Sequence, residues 1–427
     1  MDSEIKQRIE MVRRGEVPEG YKKIQRDIIP KDWTIKSLAE VGNNFSYGMN
    51  AAAKAYDGHN KYIRITDIDD NTHIYTGLDL VSPNADLELK YRVQENDILF
   101  ARTGATVGKT YLYNKNDGIL FFAGFLIRVN IPIDNSYYVY EQTLTGRYLN
   151  WIRIMSQRSG QPGINAQEYG TYSFPYCCVK EQQKIAAILT TQDKAIELKE
   201  KRLAEKQRQK KYLMQQLLTV RKRLPGYIGE WTTLPLKYLS EKQKKKNSGF
   251  QYSLVLSNSA QHGIVLQDQE FTKEIANAER IDGYYIVVPG AFVYNPRISI
   301  SAPCGPINVN ETGKTGIVSP LYIVFSISAP EIDQIFLKYY FQSSCWYKYV
   351  KGVANYGARH DRISISDEDF FEMPIPLPIK DEQSAIAQVL SAADREISLL
   401  RQDIEQEKQK KKALMQLLLT GIVRVKI

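Results

Sequence analysis

The chain has little of what metal and redox centres are built from. Its four cysteines, Cys177, Cys178, Cys304 and Cys345, show neither zinc-type nor framework spacing. Adjacent Cys177-Cys178 would make a poor zinc pair and a strained disulfide, so reduced, buried thiols are expected. The four histidines, His59, His73, His262 and His360, lack a short-spaced partner, which argues against a metal site. No apolar run is long enough to span a membrane, and no segment has the charged start and apolar stretch of a signal peptide. A cytoplasmic chain without a membrane partner is expected.

Complete catalytic motifs are missing too. Arg102-Thr103-Gly104-Ala105-Thr106-Val107-Gly108-Lys109-Thr110 invites a phosphate-loop reading, but Gly104 and Gly108 enclose three residues where the phosphate cradle needs four. The context is also strand to loop to strand, not strand to helix. Asn295-Pro296-Arg297 lacks the second proline and the aromatic of an amino-group methyltransferase motif, and no cofactor loop precedes it. No cofactor is expected.

What the chain has is a repeat. Glu181 to Val220 and Glu382 to Gly421 overlay without a gap at an offset of 201 residues. Lys210, Lys211, Leu213, Met214, Gln215, Leu217, Leu218 and Thr219 meet identical residues 201 positions later. Neither copy contains Gly or Pro before its end, so each predicts one long helix. Ile386, Leu390, Ala393, Ile397, Leu400 and Ile404 follow the spacing of a coiled-coil seam, which resumes at Leu414 and Leu418. The first copy keeps the seam through Ile185, Leu189, Ile196, Leu203, Leu213 and Leu217, but places Gln192 and Lys199 in it. Polar seam residues cost stability and can fix register. Such helices can hold two other things at a fixed separation, or dimerise.

At 427 residues there is room for two or three domains, and 43% hydrophobic content allows an ordinary core. The expected division is an N-terminal segment 1–20, a domain 21–180, a helical spacer 181–226, a domain 227–380 and a second spacer 381–427. The N-terminal segment reads as a short polar helix. In the first domain strands are predicted at Tyr62–Ile65, Asp97–Phe100, Thr110–Tyr113 and Ile119–Phe122, with a helix over Val139–Met155. In the second, Ile286–Tyr294 stands where Gln94–Ala101 stood, and Lys338–Val350 replaces the helix. Trp33 and Trp231 are assigned to core packing. The frame is repeated and the loops are not, as suits one scaffold reading two targets.

The net charge of +9 suggests a polyanion partner. Basic clusters on the helices are ordinarily a solvated face. Lys242 to Lys246 is a better phosphate-steering candidate, with Lys244 and Lys245 chosen. A tight glycine turn would present Arg102 and Lys109 to a DNA phosphate, or else be a structural turn with solvated charges. Residue types able to read base edges nominate Lys61, Arg64, Arg102, Arg158 and Gln161 in the first domain. Asn258, Arg297, Arg359, His360 and Arg362 are nominated in the second.

The pattern resembles the specificity subunit of type I restriction-modification enzymes over nearly the whole chain. The residues that carry the resemblance begin with Asp97-Ile98-Leu99, Arg102, Gly104 and Gly108-Lys109. Gly160-Gln161-Pro162-Gly163-Ile164 follows, then Pro175 with Glu181-Gln182 and Ile185. The helix ends from Leu213 and from Leu414 complete the set. The second domain departs at Ala291, which replaces the Asp97 type, and around Cys304-Gly305. The resemblance implies an α+β fold in which two mixed α/β target-recognition domains are separated by two long helices. These helices would form an antiparallel coiled coil with a pseudo-twofold internal repeat. It implies that each domain binds one half of a split double-stranded DNA site and that the seam helices set the gap. It further implies that two modification (methyltransferase) subunits dock on these helices, with the seam residues as spacer and partner-docking candidates and the near-identical helix ends as two similar docking surfaces. Restriction (endonuclease/translocase) subunits would be added, and this chain would catalyse nothing. A fused restriction or methyltransferase chain and a scaffold without a DNA role are the rivals.

Overall fold

The fold was obtained as a computed structural model, and it describes residues 3–157, 160–267, 278–354 and 361–427. Two compact units emerge: Met1–Glu200 with Asp403–Ile427, and Lys201–Gln402. The divisions fall inside two 39-residue helices, Val179–Leu217 and Lys380–Leu418. With 1.5 Å of rise per residue, each helix is about 58 Å long.

The first unit is built on a four-stranded antiparallel sheet in the order Asn43–Tyr47, Leu126–Asn130, Asp97–Ala101, Thr110–Leu112. The central Asp97–Ala101 strand is buried along its whole length. Alternate side chains of a strand point to opposite faces, and the strand feeds two cores. Ile98 and Phe100 join the large cluster around Trp33, Tyr169 and Ile185. Leu99 and Ala101 join the cluster with Ile63, Leu120 and Phe122. A continuous apolar run is what a strand covered on both faces requires. A second ribbon pairs Thr34–Ser37 with Ser173–Tyr176 and leads into the first long helix.

The second unit repeats this frame. Its antiparallel sheet runs Ser240–Lys242, Ile323–Ile327, Phe292–Tyr294, Ile307–Val309, and its ribbon pairs Thr232–Pro235 with Pro374–Leu377. Again the central strand divides its side chains, Phe292 and Tyr294 to one core and Val293 to another. Ala291 stands where Asp97 stands. Asp97 is buried, accepting from the Gln94 amide at 2.7 Å and from Asn130 Nδ2 at 2.8 Å. Burial, the dominant cause, raises its pKa against those bonds. The departure at Ala291 thus changes a buried strand start, where Asn310 Nδ2 instead bonds the Val287 and Lys314 carbonyls at 3.2 and 2.9 Å.

The polar N-terminal helix is present as Ser3–Arg13. The single helix expected over Val139–Met155 is two, Ser136–Gln142 and Gly146–Met155. Thr143 Oγ1 donates to the Tyr140 carbonyl at 2.6 Å and Thr145 Oγ1 to the Gln142 carbonyl at 2.8 Å, ending the first helix before Thr145 caps the next. In the second unit Gln334–Gln342 and Tyr347–Val353 are separated in the same way at Ser343. The cysteines are free, but they are not all buried: Cys178 is exposed and Cys345 is half-buried.

Within the first unit, Val179–Glu200 of one long helix meets the last turns of the other. Gln192 Nε2 reaches Glu407 Oε2 at 2.5 Å, Lys199 reaches Asp403 and Glu407 at 2.9 Å, and Lys411 reaches Asp193 at 2.7 Å. Numbers rise on one segment as they fall on the other, so the segments run antiparallel. Both polar seam residues therefore meet acids on the facing helix. In the second unit the repeat returns the same contact: Lys210 reaches Asp394 at 2.6 Å.

Candidate nucleic-acid interface

Each unit carries a loop after its central strand, braced by a second loop. In the first unit, Arg102–Lys109 lies against Gly160–Ile164. The Ile164 amide donates to the Arg102 carbonyl at 2.9 Å, the Gly104 amide donates to the Pro162 carbonyl at 3.0 Å, and Thr103 bridges Gly163. Gly104 has φ +78°, the left-handed backbone that favours glycine. This brings two nominated residues together. Arg102 lies over the Tyr47 ring, 4.8 Å from its centroid, and Gln161 is exposed beside it. Phe125, 63% exposed, joins them because its carbonyl accepts from the Arg102 amide at 3.0 Å. Tyr47 and Phe125 were missed from sequence; an aromatic at a strand end and one in a Gly turn were the available signals.

The rest of the first set turns inward. Lys109 is only 8% exposed: its ammonium donates to the Ile68 carbonyl at 2.8 Å and pairs with Asp70. It is a strut between loops, not a phosphate contact. Arg64 is held by Asp67 at 2.9 and 2.7 Å and by Asp79 at 2.9 Å, and those carboxylates, Asp67 foremost, raise its pKa. Lys61 donates to the Asp117 carbonyl at 2.6 Å. Arg158 lies outside the described residues.

In the second unit Arg297 bridges Arg362 through the backbone, and the Ile363 amide donates to the Pro296 carbonyl at 3.0 Å. This is the geometry of Arg102 and Ile164 repeated. Arg297 is exposed and has no ion-pair partner among the described residues. Arg362 is half-buried beside Asp361, 3.6 Å away. Lys244 and Lys245 are exposed on the edge before Asn247. Asn258 is a correction: at 2% exposure, its amide donates to the Val293 carbonyl at 2.6 Å and accepts from Asn308 at 2.7 Å. It joins strands and cannot reach a base. Arg359 and His360 lie outside the described residues.

The seam residues also need revision as partner contacts. Ile185, Leu189 and Leu418, with Leu414 against them, belong to the first unit's core; Leu217, Ile386 and Leu390, with Leu213 against them, belong to the second's. Ile196, Ile397 and Ile404 are buried, and Leu203 and Leu400 are half-buried. Packing within the chain takes the buried ones out of any docking surface and leaves Leu203, Leu213, Leu400 and Leu414 half-buried. The repeated Glu-Gln pairs have internal duties too. Glu181 accepts from Trp33 Nε1 at 3.0 Å and from Arg424 at 2.7 and 2.9 Å. Glu382, also buried, takes Arg223 at 2.6 Å through both oxygens. Gln182 Oε1 accepts from the Asn135 amide at 3.0 Å, and Gln383 Oε1 from the Asp333 amide at 2.9 Å. Each glutamine fixes the residue that caps its unit's helix.

Among the described residues no helix is long and apolar enough to cross a membrane, and no cluster of three metal-ligating side chains occurs.

Comparison with known proteins places this frame. The family model described as Type I restriction modification DNA specificity domain matches residues 30–207 and 241–409. A Methanocaldococcus jannaschii protein, provisionally named type I restriction enzyme MjaX specificity subunit, is 26% identical over 96% of this chain and 97% of its own length. The type I restriction enzyme MjaVIII specificity subunit of the same organism is 24% identical over 78% and 80%. A solved chain from a study of assembly and conformational transition of the type I R-M system aligns over 92% of this chain and 99% of its own. Its TM-score is 0.56 at 15% identity, a likeness of fold. With two matching segments on two similarly built units, the chain belongs to the type I restriction-modification DNA specificity family and carries two target-recognition domains.

Proposed function

We propose that residues 21–180 and 227–380 each read one half of a bipartite double-stranded DNA site, with 181–226 and 381–427 as the helical spacers that set the gap. Residues 1–20 are a separate N-terminal segment. The observation that carries this reading is one sheet order used twice with different loops after the same central strand. Half-buried Arg102 and exposed Gln161, Arg297, Lys244 and Lys245 are the contacts retained; side-chain donors to phosphate supply salt-dependent affinity and loop side chains supply base readout. Equivalent modules favour half-sites about 34–36 Å apart, which a helix of about 58 Å can bridge.

The partners are two methyltransferase subunits, joined in the full assembly by restriction subunits, in the cytoplasm. Lys211 and Gln215 are exposed one turn apart, and so are their identical counterparts Lys412 and Gln416. Core packing does not account for these identities, and two equal docking points on two helix ends suit two copies of one partner. The chain itself supplies recognition, not catalysis.

The test is selection of bound DNA from a random pool with a methyltransferase subunit co-expressed. Two short fixed blocks separated by a fixed unread gap are expected. A single block, or no enrichment, would remove the two-reader assignment. The isolated chain should methylate nothing with S-adenosylmethionine until the partner is added.

A further inference from the structure

The loops after the two central strands differ in length. In the sheet ladders Phe100 pairs with Thr110, and Tyr294 pairs with Ile307. The connection therefore runs from 100 to 110 in one unit and from 294 to 307 in the other, three residues more. Both loops begin and end alike. The Ala101 amide donates to the Lys109 carbonyl at 2.8 Å, and the Asn295 amide to the Pro306 carbonyl at 3.0 Å. Thr103 bridges Gly163 and Arg297 bridges Arg362. The additional residues therefore fall between Arg297 and Gly305.

They form a closed turn. The Ser299 amide donates to the Ala302 carbonyl at 3.1 Å, and the Ala302 amide donates back to the Ser299 carbonyl at 3.2 Å and to its Oγ at 3.1 Å. The turn is tied to the bracing loop by the Ile298 amide, which donates to the Asp361 carbonyl at 3.1 Å. At its tip, between Ser299 and Ser301, stands Ile300, 105% exposed. Lone exposed apolar residues are common on protein surfaces. This one is set apart by its place: a three-residue extension, fastened by backbone bonds, lifts an apolar group clear of the surface beside Arg297 and Arg362. Its β-branched side chain has few rotamers to lose on contact.

A DNA base edge offers one apolar feature, the C5 methyl of thymine, and only the major groove displays it. Arginine in the same loop suits the guanine edge of the same groove. We propose that Ile300 selects a thymine by its methyl group in the half-site read by the second domain. The proposal rests on the reading of that domain as a DNA reader.

Deoxyuridine lacks only this methyl, so it separates the methyl contact from base pairing. The full chain with its methyltransferase partner is first used to select a site. Each thymine of both blocks is then replaced singly by deoxyuridine, and binding is measured for the parent, Ile300→Ser and Ile300→Val. One replacement in one block should weaken the parent about four- to tenfold, the worth of burying about one carbon or slightly more. The penalty should persist in Ile300→Val, vanish in Ile300→Ser, and leave the other block untouched. Equal parental binding to all replaced sites, a selected block without thymine, or an unchanged penalty in Ile300→Ser would each overturn the Ile300 assignment while the two-block site stands. Selection of one block only would overturn the domain reading itself.

Discussion

Val220 and Gly421 hold the same place in the two copies of the repeat, just past the end of a long helix, and only one of them suits it. Both have left-handed backbone, φ +61° and +73°. Glycine adopts this freely, whereas a β-branched residue is strained there by about 1–2 kcal/mol. A Cβ at 421 would also approach Pro30 to 2.6 Å. Val220→Gly should therefore stabilise the second unit by about 1 kcal/mol, and Gly421→Val should destabilise the first by more; denaturant titrations of each variant give both signs. Glu141 makes a second case. It is fully buried, and Lys411 reaches its Oε1 at 2.8 Å. Burial raises its pKa and Lys411 opposes that. Lys411→Met strands the carboxylate and should cost about 3–5 kcal/mol, with much of the loss recovered when Glu141→Gln is added. Residue roles were unevenly legible. Gln192 and Lys199 could be picked out because a seam period makes any polar residue conspicuous. Lys109 and Asn258 could not, because their partners, Ile68, Asp70 and Val293, lie more than thirty positions away and a local motif does not say which way a side chain turns.

At the scale of elements, the helix contacts should respond to acid. Glu407 accepts from Gln192 and from Lys199, and these, Gln192 foremost, depress its pKa to about 2 from the ordinary 4.5. A depressed carboxylate contributes stability above its unfolded pKa and loses it as pH falls toward the folded one. The melting temperature of the parent should thus fall further between about pH 5 and about pH 2 than that of Glu407→Gln; parallel curves would remove the contact as a source of helix stability. The long helices were legible as a 3.5-residue period and the central Asp97 strand as a short apolar run; the ribbons, with Pro175 and Pro376 in them, left no such mark. The breaks at Thr143 and Ser343 were not, because side-chain bonds to local carbonyls decide them rather than hydrophobic spacing.

At the scale of the molecule, the repeat explains why two units have the same sheet order with little shared loop sequence. The identical helix ends suit docking surfaces, but half of those identities, Leu213, Met214, Leu217 and Leu218 with their counterparts, serve the cores instead, and a short exposed remainder is left for partners. Insertion of a heptad between Ala195 and Gln207 lengthens a helix by about 10 Å. DNA selected by such a variant should show a changed gap or no site; the original gap would sink the ruler.

Glu181 buried against Arg424 also ties folding to the order of synthesis. The first unit is completed by Asp403–Ile427, which are made after all of Lys201–Gln402. On the ribosome the second unit has its whole chain first, and the first unit waits without Met415, Leu418 and Leu419 in its core and with Glu181 lacking its arginine. A nascent chain stopped at Gln402 should hold one folded recognition domain and one that needs a chaperone, although the latter was translated earlier.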